Sequence, residues 1–181
     1  MQELRTTEDV LVSRDRIVKV AREDVEPLRE MAERSPRRRA RLCAHPSPRN
    51  ALHEMLIALD GASYVRPHRH PGKSESFHVI AGTLTVVIFK DDGTVDEVIP
   101  MGDYQSGRVF YYRLQEAAYH TVLPVNGQAL IHETTNGPFE PEQTEFAPWA
   151  PRADDADAIR TYLRELAHEI GLDLSEEVAP S

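Results

Sequence analysis

The sequence predicts a mainly β domain, a small sandwich or barrel, with a helix on either side of it in the chain. Three observations predict this. Between Leu52 and Thr134 about eight short apolar runs are separated by turn residues at intervals of about 6 to 12 positions. Helical periodicity is confined to two stretches, Glu23 to Arg34 and Asp155 to Ile170. The 181 residues, 40% hydrophobic and 28% charged, have the size and composition of one soluble unit with its own core.

The elements follow in order. Residues 1–40 read as an N-terminal arm and helix, with "RIVKV" at 16–20 as a short strand. Asp24 is placed to cap the helix, Pro27 is tolerated in a first turn, and Val25, Leu28 and Met31 share a face. Residues 41–152 form the β domain. Its expected strands are Leu52–Leu59, Tyr64–His70, Ser76–Ile80, Leu84–Phe89, Val95–Ile99, Val109–Leu114, Tyr119–Val125 and Gln128–Thr134. "AGT" at 81–83 reads as a tight link, and "NG" at 126–127 as a hairpin turn. The proline-rich stretch after Thr135 reads as an extended strap laying Phe139, Phe146 and Trp149 on the β domain. Residues 153–181 hold the second helix, whose stripe of Ile159, Tyr162, Leu163, Leu166 and Ile170 packs on this domain or on a twin subunit, and a loose "SEEVAPS" tail.

Composition excludes several classes. A net charge of −9 and a single short basic run, Arg37–Arg39 with Arg41, argue against a nucleic-acid partner. One cysteine, Cys43, rules out an internal disulfide and a Cys-rich zinc module. No apolar run approaches the ~20 residues of a membrane span, and "MQELRTTEDV" has no apolar h-region, so the expectation is a cytoplasmic protein without membrane attachment. Extra terminal elements beside a small β domain point to a homodimer.

The chemistry concentrates in "PHRHPGKSESFHV", residues 67–79. Side chains two apart on a strand share a face, so His68 and His70 present two imidazoles to one point. "PGKS" reverses the chain and Glu75 opens the returning strand. Two imidazoles and a carboxylate suit a divalent first-row metal; the alternative is a solvated polar hairpin. His78 has the opposite parity to Glu75 and is assigned away from this point. Arg66 alternates in phase with the two histidines, and with Tyr64 it is a candidate to bind an anionic substrate group; a solvated rim is the alternative. Arg69 faces the other way.

"GASYVRPHRHPGKSESFHVIAG" resembles the first cupin motif, G-x5-H-x-H-x3–4-E-x6-G. His68, His70, Glu75 and Gly82 fit its spacing, while Gly61 stands one residue too far upstream. "RRRARLCAH", "VVIFKDDG" and "HETTNGPFEPEQTEFAPWAP" extend the resemblance over about residues 37–151 to the WbuC-family cupin-fold metalloproteins. The resemblance implies a single cupin barrel, a double-stranded β-helix or jelly roll, with a metal in its mouth. It also implies a tie to O-antigen and other surface polysaccharide biosynthesis. In the second cupin motif, P-x-G-x-x-H-x3-N, only His120 of "QEAAYHTVLP" survives, and the resemblance makes it the fourth ligand.

Three histidines and one glutamate leave coordination positions open on one divalent transition metal, be it Fe, Mn, Zn or Ni. Three functions follow: a metal-dependent isomerase or epimerase acting on a small polar metabolite such as a sugar or sugar nucleotide, an iron-dependent dioxygenase, or a non-enzymatic metal- or metabolite-binding module. For the first, Glu133, Tyr119 and His53 are the candidate bases.

Overall fold

The computed structural model describes residues 3–172. Its elements are β1 (Glu3–Thr7), β2 (Val10–Ser13), α1 (Arg22–Arg34), β3 (Arg39–Cys43), β4 (Leu52–Leu59), β5 (His68–Arg69), β6 (Glu75–Phe89), β7 (Val95–Gly102), β8 (Tyr111–Leu114), β9 (Tyr119–Asn136), β10 (Glu145–Phe146) and α2 (Ala156–Glu169). The "SEEVAPS" segment lies outside the described residues.

The organising unit is a ribbon of β6 and β9. The two strands pair antiparallel from Glu75↔Thr135 to Phe89↔Tyr119. Laid straight, a strand of 15 residues would extend about 50 Å at ~3.3 Å per residue. It does not stay straight. Ala81 pairs with Leu130 and Thr83 with Val125, so one β6 residue, Gly82, faces a loop-out of β9 at residues 126–129. Asn126 (φ 57°), Gly127 (φ 108°) and Gly82 (φ 80°) all take the left-handed conformations that such a corner requires. The ribbon doubles over there and makes two layers.

The first layer runs β8–β6–β9–β4–β3–β2–β1, and the second runs β7–β6–β9–β5–β10. The result is a cupin-type jelly roll, mainly β with two helices. Its hydrogen-bonded ladders do not close into a continuous barrel. Alternation sorts the side chains. Phe77, Val79, Met55, Ile57 and Ile131 from the first layer meet Leu84, Val86, Ile88, Met101 and Val122 from the second. Outside the first layer, α1 sets Leu28 and Ala32 on Leu11, Ala40, Leu42, Ala58 and Leu130. Outside the second, α2 sets Ile159, Leu163 and Leu166 on Val87, Phe89, Tyr119 and Leu123. The α2 stripe thus packs on its own chain, and Asp155 caps the helix by accepting from the Ala158 N–H (3.0 Å).

Several sequence expectations need correction. "RIVKV" is irregular; the N-terminal strands are β1 and β2, so part of the arm belongs to the sheet. Asp24 is not the cap but the third helical residue, reaching back to accept from the Ala21 N–H (2.8 Å). Pro27 lies inside the helix, beyond its first turn. "AGT" and "NG" each join two expected strands that are in fact halves of one bent strand. Asn-Gly normally reverses a chain; here both flanking segments keep pairing with β6, and the tight conformation serves a corner instead. Of 64–70, only His68–Arg69 pairs as a strand. Phe139 is 56% exposed, while Trp149 does pack on Phe89, with ring centroids 4.9 Å apart.

Candidate metal centre

Glu75 and His120 stand near opposite ends of the β6–β9 ladder, where His120 pairs with Ile88. The fold at Gly82 brings their side chains together, Glu75 Oε1 lying 3.1 Å from His120 Nε2. β5 runs beside β9 with His68 opposite His120. His70 follows two residues later, with Nε2 3.7 Å from Glu75 Oε2. One ligand-type atom from each of His68, His70, Glu75 and His120 lies within 4.8 Å of the other three. Glu75 and His120 are buried; His68 and His70 are partly exposed, at the mouth between the layers.

The positions of the imidazole protons suit this donor set to a cation. The Nδ1–H of His68 donates to the Arg66 carbonyl (2.8 Å), and that of His120 to the Ala118 carbonyl (3.0 Å). A carbonyl only accepts, so these contacts fix the proton on Nδ1 and turn the Nε2 lone pairs inward. Glu75 Oε1 and His120 Nε2 are close but lack hydrogen-bond alignment, and both are buried with no other partner. Buried polar atoms are seldom left so. With bonds of ~2.1 Å, ligand atoms on one cation sit at most ~4.2 Å apart, so a small contraction completes the set. The residues fit a divalent metal.

Charge agrees. Burial pushes His68 down to about 3, helped by the His120 charge, and burial also lowers His70; both are neutral imidazoles at pH 7. At His120, burial opposes the charged form, but the adjacent Glu75 carboxylate outweighs it and raises the pKa. The same partner, with the other histidines, overcomes the burial of Glu75 and lowers its value. The Glu75 carboxylate thus favours a second proton on His120, one that a cation would displace.

The other candidates separate. Glu133 faces inward on β9, paired with Phe77 of β6, one step along the strand from Glu75. Burial, then the Glu75 charge, pushes its carboxyl up to about 8; the burial part persists with a cation on Glu75. Tyr119 lies on the opposite face from His120, under the Arg69 guanidinium (4.6 Å) and beside Trp149, and is removed from the site. His53 is buried but committed elsewhere: Nε2–H donates to the Pro48 carbonyl (3.1 Å) and its ring stacks on His45 (4.0 Å). Arg66 donates to the carbonyls of Ala147 and Ala150 (3.3 Å each) and covers Phe146 (5.0 Å). Tyr64 donates to the Pro151 carbonyl (3.0 Å). Both fasten the strap rather than face the mouth. Residues 64–67 lie outside β5, so strand parity does not extend back to Arg66. His78 is exposed beside Phe110 (5.8 Å), as its parity predicts.

Sequence reasoning passed over Arg39, Arg41 and Tyr112. Alternation with Ala40 and Leu42 was the available signal for the two arginines, hidden because their run reads as a solvated turn.

Fold and cluster together define a cupin-type jelly roll with a candidate metal centre. Residues 20–101 match a family model described as a domain of unknown function, DUF6016; the match includes His68, His70 and Glu75 and ends before His120. No curated protein matches the chain. Among solved structures, a protein of Shewanella oneidensis is similar at 15% identity, over 74% of this chain and 79% of that one, with a TM-score of 0.48. The capsular polysaccharide assembling protein CapF of Staphylococcus aureus is similar at 16% identity, over 54% of this chain and 27% of that one, with a TM-score of 0.44. Oxalate decarboxylase of Bacillus subtilis, described with Mn(II) centres, is similar at 15% identity, over 50% of this chain and 23% of that one, with a TM-score of 0.40. No helix among the described residues is long and apolar enough to cross a membrane.

Proposed function

We propose that this chain is a metal-dependent enzyme acting on a small polar metabolite, with one divalent transition metal held by His68, His70, Glu75 and His120. The observation that carries the reading is the convergence of buried Glu75 Oε1 and His120 Nε2, 3.1 Å apart without a hydrogen bond to any group, with two neutral imidazoles at the mouth between the layers. Bound there, a divalent cation supplies Lewis-acid polarisation of a substrate carbonyl. Glu133 is the proton carrier. It faces inward near Glu75, and its carboxyl is poised near neutrality, where a group both takes and returns a proton. Proton abstraction beside a carbonyl and its return to another face or atom is the chemistry of an isomerase or epimerase. The resemblance to the WbuC group, with its tie to surface polysaccharides, makes a sugar or sugar-nucleotide intermediate the first substrate class to try.

The test is solvent deuterium incorporation into a panel of sugar nucleotides, read by mass spectrometry. Incorporation by wild type, lost in Glu133→Gln with metal content retained, supports the reading. Wild-type protein loaded with Mn, Fe, Zn or Ni in turn that exchanges no substrate proton contradicts the isomerase assignment.

A further inference from the structure

The inner face of the first layer carries two arginines. Ala40 and Leu42 of β3 point outward beneath α1. Arg39 and Arg41 therefore point inward with Cys43, which joins the core between the layers. The register Cys43↔Met55, Met55↔Glu133, Glu133↔Phe77, Phe77↔Tyr112 puts Glu133 and Tyr112 on that same face, one step from Glu75. Glu133 and Tyr112 lie beside the candidate metal centre, and Arg41 and Arg39 follow one and two steps further along the face, level with Ile57 and Leu59.

They are short of partners. The Arg39 Nη1–H donates to the Tyr64 carbonyl (3.2 Å), but Nε is buried with no partner. Among the described residues, the Arg41 guanidinium reaches only the Met55 sulfur, at 4.0 Å. Among the described residues no carboxylate lies within 4.0 Å of either guanidinium. The nearby Asp9 carboxylate is taken by Arg37, whose Nε–H donates at 2.9 Å. The Tyr112 hydroxyl is also buried and partnerless. Two guanidinium groups thus share this face with the carboxyls of Glu133 and Glu75, and Glu75 is engaged with His120. Burial, then repulsion from Arg41 and Arg37, pushes Arg39 down to about 10. A cation on Glu75 would add positive charge to the same interior. Partly buried cations short of counter-ions are costly, and a forked guanidinium matches a carboxylate or phosphate.

We propose that Arg39 and Arg41, with Tyr112 as a further donor, bind an oxyanion group, carboxylate or phosphate, of the metabolite whose other end reaches the metal centre. The substrate class is then a small acidic metabolite. This rests on the metal-dependent reading for the second half of the ligand only.

The experiment is calorimetric titration of metal-loaded protein with malonate and, separately, inorganic phosphate, followed by elemental analysis of each sample. Arg39→Met, Arg41→Met and Tyr112→Phe are compared with wild type; Arg41→Lys serves if a methionine variant does not fold. Wild type is expected to bind at least one probe. Each arginine variant is expected to weaken it by about tenfold or more, with metal content unchanged. The preferred probe tells carboxylate from phosphate. The titrations are repeated on chelator-stripped protein. Arginine-dependent binding that persists there supports the anion site even if wild type proves to hold no metal. No binding of either probe by wild type, equal binding by the arginine variants, or binding that depends on the metal alone overturns the proposal.

Discussion

Gly82→Ala tests the corner that builds the site. At φ +80° an alanine pays the left-handed penalty, about 1 kcal/mol. Its Cβ would also stand 2.3 Å from the Gln128 carbonyl oxygen and 3.1 Å from Ala129 Cα, both backbone. No side chain can rotate away, so β9 must shift, which adds about 1–3 kcal/mol. The sum, about 2–4 kcal/mol, corresponds to a Tm lower by roughly 4–16 °C for a chain of this size. Gly72→Ala is the control, because Gly72 has φ +76° but nothing within 4 Å of its Cβ. It should lose about 1 kcal/mol, the conformational part alone. The assay is urea unfolding of both variants with metal affinity measured on the same preparations. Gly82→Ala should also bind metal more weakly, since the corner sets the distance between Glu75 and His120. If the two variants lose equal stability, or if Gly82→Ala keeps wild-type metal affinity, the doubled-ribbon account is wrong.

Three further outcomes are expected. Metal affinity should rise with pH: His120, raised above 6.5 by Glu75, must release its proton to bind, while His68 and His70, both lowered, are already neutral. A competition titration between about pH 6 and 9 should show affinity climbing with pH; a flat profile would contradict the raised proton affinity of His120 beside Glu75. Arg66→Met should free the strap at Ala147 and Ala150 and cost about 1–2 kcal/mol in denaturant unfolding while leaving metal content intact; loss of metal instead would place Arg66 in the site. Ile80 of β6, Tyr111 of β8 and Phe110 just before β8 are exposed, and a homodimer through that face predicts that Ile80→Glu halves the mass in light scattering; a wild-type monomer at micromolar concentration would remove the dimer.

Strand parity and turn chemistry made much of this legible. H-x-H, the reversal at "PGKS" and Glu75 are local in sequence, so alternation sufficed to gather them and to turn His78 and Arg69 away. The two helices were legible for the same reason, since a 3.6-residue period is a local signal. His120 is another matter. Its approach to Glu75 depends on a ribbon folding over at Gly82, and only the resemblance to the cupin motif reached across that distance. The corner itself was misread, because Asn-Gly has the same local conformation whether it reverses a chain or bends one; the choice is made by the partner strand. Arg66 and Tyr64 were misassigned because the strap that claims them is some eighty residues away. Arg39 and Arg41 look like a charged surface turn until α1 is known to cover the alternate residues of β3.

The central claim is the metal centre, and elemental analysis of the purified protein tests it most directly. Wild type is expected to carry about one transition metal per chain, with His68→Ala, Glu75→Ala and His120→Ala each folded by circular dichroism and substantially depleted. Full metal content in the folded variants, or a wild-type protein that takes up no divalent metal after reconstitution, would contradict it.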